Sequence, residues 1–392
     1  MNRENKNRKM KTVVVNGANG YVASNFISQL LKQQYMVIVL VRSNGIDAEE
    51  RMNDVLVYLN DDTDADTANL EVYNYSLLDK DFDINRNILK SIFSSRVDYF
   101  HFAASLKYDE KSVDEIFSAN IGGVENSIKV FLKYATKCSR FFYIGTAYSC
   151  GRMNGVFEER FYENREISAF RNYYEQSKRF AENIVRENIR NNGLNGHIIR
   201  LSQVVGNQKT GVTKTDYGIF DFAKRIYNLA NRYPGEIVRV HVDPDATQNL
   251  IPIDTVTEHL TRVVEEKEIP EIMNFVSKNP VRNNFIIETL NRLVPMHIIP
   301  VKSLERKNMT PIERLISVGM SFTESYAFTN ISFDTRRRDK FLKYPEIGPD
   351  NNSVAKMLEY FMKNLSENRK KGNRLQPDNE QEKLFGIFEK YK

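Results

Sequence analysis

Residues 11–31 leave this chain little freedom. Lys11-Thr12-Val13-Val14-Val15 is apolar enough to be a short buried strand, and Asn16-Gly17-Ala18-Asn19-Gly20-Tyr21-Val22-Ala23 follows at once. Beyond that turn, Val22, Phe26, Leu30 and Leu31 recur at helical spacing. A strand, a glycine-rich turn and a helix N-terminus in succession suit a pyrophosphate. Small residues let phosphate approach the backbone, and the first helical turn offers N–H groups with no partner of their own. The spacing is Gly-x-x-Gly-x-x-Ala through Gly17, Gly20 and Ala23, not Gly-x-Gly-x-x-Gly. A purely structural turn is the plainer alternative, but the position in the first βα unit of the chain argues against it.

The next strand carries a charge signal. Tyr35 to Val41 is a continuous apolar run ending in Arg42-Ser43-Asn44. A dinucleotide with a free 2′-hydroxyl usually meets Asp or Glu at this point, whereas a 2′-phosphate wants an arginine. Here Arg42 ends the strand, Arg51 follows about two helical turns later, and no acid stands between the strand and Ser43. This favours NADPH (NADP+) over NADH, against the simpler reading of a solvated arginine at a strand edge.

Tyr174-Glu175-Gln176-Ser177-Lys178 supplies a candidate proton donor. Residues four apart share a helix face, so the phenol and the ammonium enter the same space. A fixed positive charge favours phenolate and is expected to pull the Tyr174 pKa down from about 10 toward the range of a working acid or base. Alone, the pair also fits an ordinary amphipathic edge.

With these companions the chain resembles an extended short-chain dehydrogenase/reductase. Val97-Asp98-Tyr99-Phe100-His101-Phe102-Ala103-Ala104 is similar to the strand end that passes the cofactor. Asn120-Ile121-Gly122-Gly123 is similar to the helix asparagine supporting the catalytic lysine. Tyr143-Ile144-Gly145-Thr146-Ala147-Tyr148 resembles the strand ending in the catalytic Ser or Thr. Arg200-Leu201-Ser202-Gln203-Val204-Val205-Gly206 resembles the Arg-Pro-x-x-Val-x-Gly segment beside the nicotinamide, with Leu201 for the usual Pro. The resemblance implies catalytic roles for Thr146, Tyr174, Lys178 and Asn120. It implies cofactor contacts for Gly17, Asn19, Gly20, Tyr21, Val22, Arg42, Arg51, Ser76, Leu77, Ala103, Ala104, Ser105, Tyr174, Lys178, Leu201, Ser202 and Val204.

A finer likeness points to the thioester-reductase and fatty-acyl-CoA-reductase branch, with its male-sterility-like NAD-binding domain. It rests on Thr146-Ala147-Tyr148, on Asn172 to Lys178 and on Arg42. Gly206 to Gly211, Asp243 to Asp254 and the late Phe333-Asp334-Thr335-Arg336-Arg337 add to it. Three departures stand out: Asn16 where Thr is usual, Ala23 for the third Gly, and Tyr75-Ser76-Leu77 where Gly-Asp-Leu normally holds the adenine. The branch implies an NADPH-dependent reductase acting on an acyl thioester, borne by coenzyme A or an acyl carrier protein, to give aldehyde or alcohol. The family implies a homodimer through a four-helix seam. Two rival readings are a nucleotide-sugar or small-molecule epimerase, dehydratase or ketoreductase, and a non-catalytic NADP-binding regulator. Arg42 counts against the first, Tyr174 and Lys178 against the second.

The expected fold is α/β: a Rossmann-type, doubly wound parallel sheet with a smaller C-terminal substrate lobe. Residues 1–10 read as a disordered lead, 11–206 as the NADP-binding domain with a return segment at about 250–265, 207–365 as the substrate lobe and 366–392 as a polar tail. Ser112 and Glu115 are spaced as a capping box opening a helix to about Lys137, and Asp254 as the cap of a helix through Val264. A net charge of +5 on 392 residues is too mild and mixed for a nucleic-acid partner. No apolar run approaches ~20 residues, so no membrane span is expected, and two cysteines, Cys138 and Cys150, fit a reducing cytoplasm. Asp62-x-Asp64-x-Asp66 lacks the glycine and the final acid of a calcium loop, and the five histidines lack metal-ligand spacing. His101 reads as a satisfied core histidine.

Overall fold

The computed structural model describes residues 11–60, 66–319, 325–343 and 348–372. The lead 1–10, Asp62 and Asp64 of the acidic loop, and residues 373–392 of the polar tail lie outside them.

The chain runs β1 (Thr12–Asn16), α1 (Tyr21–Lys32), β2 (Met36–Val41), α2 (Ala48–Leu59) and β3 (Leu70–Asn74). It continues through α3 (Arg86–Ile92), β4 (Val97–His101), α4 (Val113–Phe117), α5 (Gly123–Tyr134) and β5 (Arg140–Thr146). Next come β6 (Val156–Phe157), α6 (Tyr173–Asn191), β7 (Gly196–Leu201), β8 (Gln203–Val205), α7 (Ile219–Arg232) and β9 (Ile237–His241). Then follow β10 (Thr247–Gln248), β11 (Leu250–Pro252), α8 (Ile253–Glu265), β12 (Ile272–Phe275), β13 (Val281–Arg282), α9 (Asn283–Leu293) and β14 (His297–Val301). The last elements are α10 (Pro311–Gly319), β15 (Ser332–Phe333), α11 (Arg336–Leu342) and α12 (Asn351–Gly372).

Seven strands form one parallel sheet in the order β12-β7-β5-β4-β1-β2-β3. Strands buried on both faces need no alternation, which is why β1 and β2 read as continuous apolar runs and β5 carries Phe141 to Ile144 in succession. Val13 and Val15 pack with Phe26 and Leu30 of α1 and Val256 and Leu260 of α8. Val14 and Tyr99 turn the other way, onto Leu89 of α3, Ile128 and Phe131 of α5 and Val185 of α6. The strand order reverses between β1 and β4, and a sheet of this kind opens a crevice at the carboxyl ends of those strands.

A second core surrounds the parallel pair β9–β14, where Phe220, Ile226, Val240, Leu290, Met357 and Phe361 meet. Two segments tie this lobe to the sheet. β11 pairs with β8 and leads into α8. The late β15 pairs in parallel with β6, and Asp334 donates its N–H to the Phe157 carbonyl (3.0 Å). Buried Glu159 then accepts the N–H of Asn274 (2.9 Å) and those of Arg337 and Arg338 at the start of α11.

Three local expectations fail. Ser112 donates its hydroxyl to Asp109 (3.1 Å) and Glu115 pairs with Lys107 (2.6 Å), so no capping box forms. The helix expected to Lys137 is instead α4, a π turn over Ser118–Gly122, and α5, which ends at Tyr134. α8 is capped by Pro252, whose fixed φ already suits a helix start, and the Asp254 carboxylate turns back to accept the Gln208 N–H (3.0 Å). Helix α12 extends to Gly372, into the polar segment that begins at Ser366. Among the described residues, no helix is long and apolar enough to cross a membrane, and no cluster of metal-binding side chains occurs.

Candidate active site

The β1–α1 turn lies directly against the end of β4. Gly17 has φ +61°, and a Cβ there would stand 2.6 Å from the Ala103 nitrogen and 2.8 Å from its Cα. Only glycine permits that approach to the backbone of Phe102 and Ala103. Asn16 fastens the two strand ends. Its Oδ1 accepts the N–H groups of Phe102 (2.9 Å) and Ala103 (3.1 Å), and its Nδ2 faces His101 Nδ1 (2.9 Å) and Ser127 Oγ (3.4 Å). An amide carries its acceptor and its two N–H donors on separate atoms, so it serves all four partners at once, whereas a single threonine hydroxyl has only one proton to donate. Since the Asn16 oxygen is already engaged, its nitrogen donates and His101 Nδ1 accepts. Burial holds this histidine down, at about 3, and the charge of Lys178 adds to the effect.

The geometry fits a dinucleotide. Gly20 caps α1 without any side-chain hydrogen bond, leaving first-turn N–H groups for an anion. Tyr21 donates its hydroxyl to the Val205 carbonyl (3.1 Å) and so joins this turn to β8, where Val204 pairs with Ile251. Asn19 and Ala104 are half-buried at the turn and the β4 end, and Val22 packs on the core. At the end of β2 the two arginines part company. Arg42 is exposed, whereas Arg51 is buried and donates to the Arg42 carbonyl, bracing the strand end rather than standing beside Arg42 at the surface.

Tyr75, where the family has glycine, lies buried edge-on to Phe82 (5.5 Å between centroids). Burial raises its phenol to about 12, against the pull of Arg42 and of the Gly17 N–H that it accepts. The Ser76 N–H is spent on the Phe82 carbonyl (2.8 Å) and the Leu77 carbonyl on Asn126 (2.8 Å). The Leu77 side chain covers Gly123, 2.7 Å from where a Cβ would be.

On α6 the tyrosine and lysine share a face as their spacing requires. Lys178 is buried, with Nζ 5.8 Å from the Tyr174 ring centroid, 5.3 Å from that of Tyr143 and 3.5 Å from the Ile144 carbonyl. Burial lowers the Lys178 pKa to about 8, opposed by Glu182. The expected depression of Tyr174 does not occur. Burial pushes its phenol up, with the charge of adjacent Glu175 and Tyr217 adding to it. The ammonium lies beside the ring, 5.8 Å from its centroid, and burial sets the direction of the shift.

Thr146, the last residue of β5, is buried, donates to the Leu201 carbonyl (3.3 Å) and accepts the Tyr148 N–H (3.2 Å). Asn120 sits in the π turn, a local distortion often found at functional sites. It is locked to both backbone groups of Ser105 (2.7 and 3.1 Å) and donates to Ser177 Oγ (2.9 Å). It therefore reaches the lysine's neighbour rather than Lys178 itself. Ser177 in turn donates to the Tyr174 carbonyl (2.8 Å). Ser202, which donates its N–H to the Phe275 carbonyl (3.2 Å), lies buried beside Leu201.

The structure adds residues that motif reading left aside. Fully buried Arg200 grips Glu182 with two bonds (2.9 and 2.7 Å) and the carbonyls of Glu158 and Arg160 (both 3.0 Å), fixing α6 below Lys178. At the other end of α6, the i,i+4 pair Arg171 and Glu175 forms a buried group with Tyr326, 151 positions away in sequence. The early arginine of a recognised motif could have flagged Arg200; nothing local flags Tyr326.

Comparison with solved structures shows the same fold in several proteins. The terminal R domain from the myxalamid PKS-NRPS biosynthetic pathway superposes with TM-score 0.74 at 17% identity, over 91% of this chain and 92% of that one. A thiolation-reductase di-domain from an archaeal non-ribosomal peptide synthetase gives 0.70 at 18%, over 91% and 76%. UDP-glucuronic acid 4-epimerase from Bacillus cereus, in complex with NAD, gives 0.62 at 17%, over 90% and 97%. No curated protein sequence matches. The family described as male sterility protein matches residues 15–260, from the end of β1 through most of α8 and so across the glycine turn, Thr146, Tyr174 and Lys178. The chain belongs to the male sterility protein family, a nucleotide-binding branch of the extended short-chain dehydrogenase/reductases.

Proposed function

We propose that this protein is an NADPH-dependent reductase of an acyl thioester, carried by a separate carrier protein or by coenzyme A. The observation that carries the reading is the placement of Tyr174 and Lys178 on one face of α6 beside the end of β5, at the carboxyl edge of the sheet. The N-terminal turn of α1, with no side-chain cap, suits a pyrophosphate, and exposed Arg42 suits a 2′-phosphate. NADPH, when bound, supplies the hydride. Because its phenol is held protonated, Tyr174 acts as the acid, giving its proton to the carbonyl oxygen as charge develops there. Thr146 adds a second hydrogen bond to that oxygen by turning its hydroxyl away from Leu201. Lys178, charged at neutral pH, holds the ribose, and Asn120 steadies it through Ser177.

Hydride at the carbonyl carbon and a proton at oxygen give a hemithioacetal. Its collapse returns the hydroxyl proton to the departing sulfur and leaves an aldehyde; a second round gives the alcohol. Two structural neighbours, a terminal R domain and a thiolation-reductase di-domain, support an acyl group borne on a carrier.

The test follows NADPH absorbance with acyl-coenzyme A, acyl-pantetheine and carrier-bound acyl thioesters, with the aldehyde trapped as a hydrazone. Consumption of NADPH with stoichiometric aldehyde or alcohol supports the reading. Turnover of a UDP-sugar with no net cofactor consumption, and inert thioesters, would replace it with the epimerase.

A further inference from the structure

The helix that carries Tyr174 begins at a buried group of side chains, one of which comes from the second lobe. Asn172 caps α6 by accepting the Glu175 N–H (2.9 Å). Glu175, the residue after Tyr174, has no exposed surface. Its carboxylate accepts the Arg171 N–H (2.9 Å), Arg171 Nη1 (3.2 Å) and the Tyr326 hydroxyl (2.7 Å). The same hydroxyl receives a hydrogen bond from Asn172 Nδ2 (3.2 Å). One oxygen atom thus bridges the cap residue and the first-turn carboxylate on either side of Tyr174. The Tyr326 ring stands edge-on to Tyr148 (5.1 Å), two residues beyond Thr146, with the Arg171 guanidinium 5.2 Å from its centroid.

Tyr326 is itself held from the far side. Its carbonyl accepts Gln248 Nε2 (3.3 Å), and the next carbonyl, Ala327, accepts the Asp243 N–H (3.3 Å) and Asn283 Nδ2 (2.9 Å). Of those partners, Asp243 precedes β10, Gln248 lies in it and Asn283 opens α9, all in the second lobe. The contact spans 151 positions of sequence, and buried hydrogen-bonded groups of this kind fix geometry because leaving any member unpaired is costly.

We propose that Tyr326 is a positioning residue, through which the second lobe sets the aim of Tyr174 by holding the N-terminal turn of α6 at Asn172 and Glu175. The proposal rests on the reading of Tyr174 as proton donor. It makes proton delivery depend on the arrangement of the substrate lobe, so that the two halves of the molecule act together.

The test is Tyr326→Phe, which keeps the ring and removes the hydroxyl. The full chain should melt near the wild-type temperature and bind NADPH with unchanged affinity, while kcat falls ~10-fold or more because the acid is misplaced. With 3-fluorotyrosine incorporated, the fluorine resonance of Tyr174, assigned by its loss in Tyr174→Phe, should shift in Tyr326→Phe without substrate present. A folded variant with unchanged kcat and unchanged Tyr174 resonance overturns the proposal. Should Tyr326→Phe fold poorly, Glu175→Gln provides the second approach to the same contact: it replaces the charged acceptor of the hydroxyl with a weaker neutral one, so kcat should fall with NADPH affinity unchanged, and an unchanged kcat overturns the proposal. Where both fold, their double variant should be no slower than the slower single one, since both act at one contact; fully additive losses overturn the proposal. If wild type reduces no thioester or aldehyde, the functional reading fails, and the fluorine shift decides the positioning role by itself.

Discussion

The two ends of the candidate site are made in different ways. At the cofactor end the shape is backbone: a glycine with positive φ, an alanine passing within van der Waals reach, and the uncapped start of a helix. At the substrate end it is side chains drawn from remote positions, Tyr148, Arg171, Glu175 and Tyr326. A site of backbone depends on a few residues that have no substitutes, and those residues fall within short stretches of sequence. A site of side chains spreads its dependence and can be retuned one contact at a time.

The largest expected effect lies at the backbone end. Gly17→Val puts a branched side chain where a single Cβ already meets Ala103 at 2.6 Å, in a φ region that branched residues avoid. It should abolish NADPH binding as read by fluorescence titration, and lower the melting temperature as well. A well-folded variant that still binds would show that the close approach is not needed.

Next is Tyr174→Phe, expected to lower kcat by at least ~100-fold with NADPH affinity nearly intact. Steady-state turnover with a confirmed thioester, set beside a cofactor titration, separates the two; near-normal turnover would remove Tyr174 from the chemistry. Arg42→Ala should erase most of a preference for NADPH over NADH of about ten- to a hundred-fold, as expected for a charge-assisted contact of roughly 1.5–3 kcal/mol. A wild type that favours NADH would contradict this and raise the epimerase reading.

The smallest effect is in pH. Lys178 loses its charge as pH rises through about 8, so kcat/KM for NADPH should be flat below that value and fall ~tenfold per unit above it. A profile flat to pH 10 would mean that the ammonium is not required in the free enzyme.

The same division explains what could be read from the sequence. The sheet, its crevice and the glycine turn follow from apolar runs and short spacings, because local backbone requirements leave local traces. The pairing of Tyr174 with Lys178 was legible as a shared helix face, but the direction of the Tyr174 shift was not. Spacing gives proximity, whereas the phenol's pKa follows the depth of its burial. Arg51 has the spacing of a second phosphate ligand, yet it is buried against the Arg42 carbonyl, a matter of rotamer and packing. Ser112 and Glu115 have the letters of a capping box, but nearer partners, Asp109 and Lys107, take both side chains. Asn16 looked like a departure from pattern and is instead a four-contact joint between β1, β4 and α5. Tyr326 left no local trace, since its meaning arises only when the second lobe returns to α6.

The π turn at Ser118–Gly122 bears on how this chain can tolerate change in length. A helix advances about 100° per residue, so the extra residue in that turn sets the rotation of everything downstream. Deleting one residue there would restore a regular helix and improve its local hydrogen bonding. It would also swing Val124, Ile128 and Phe131 of α5 off the sheet, or else turn Asn120 away from Ser105 and Ser177. The segment is therefore one in which a shorter chain makes a better helix and a worse enzyme, and single-residue indels between α4 and α5 should be far less tolerated than substitutions.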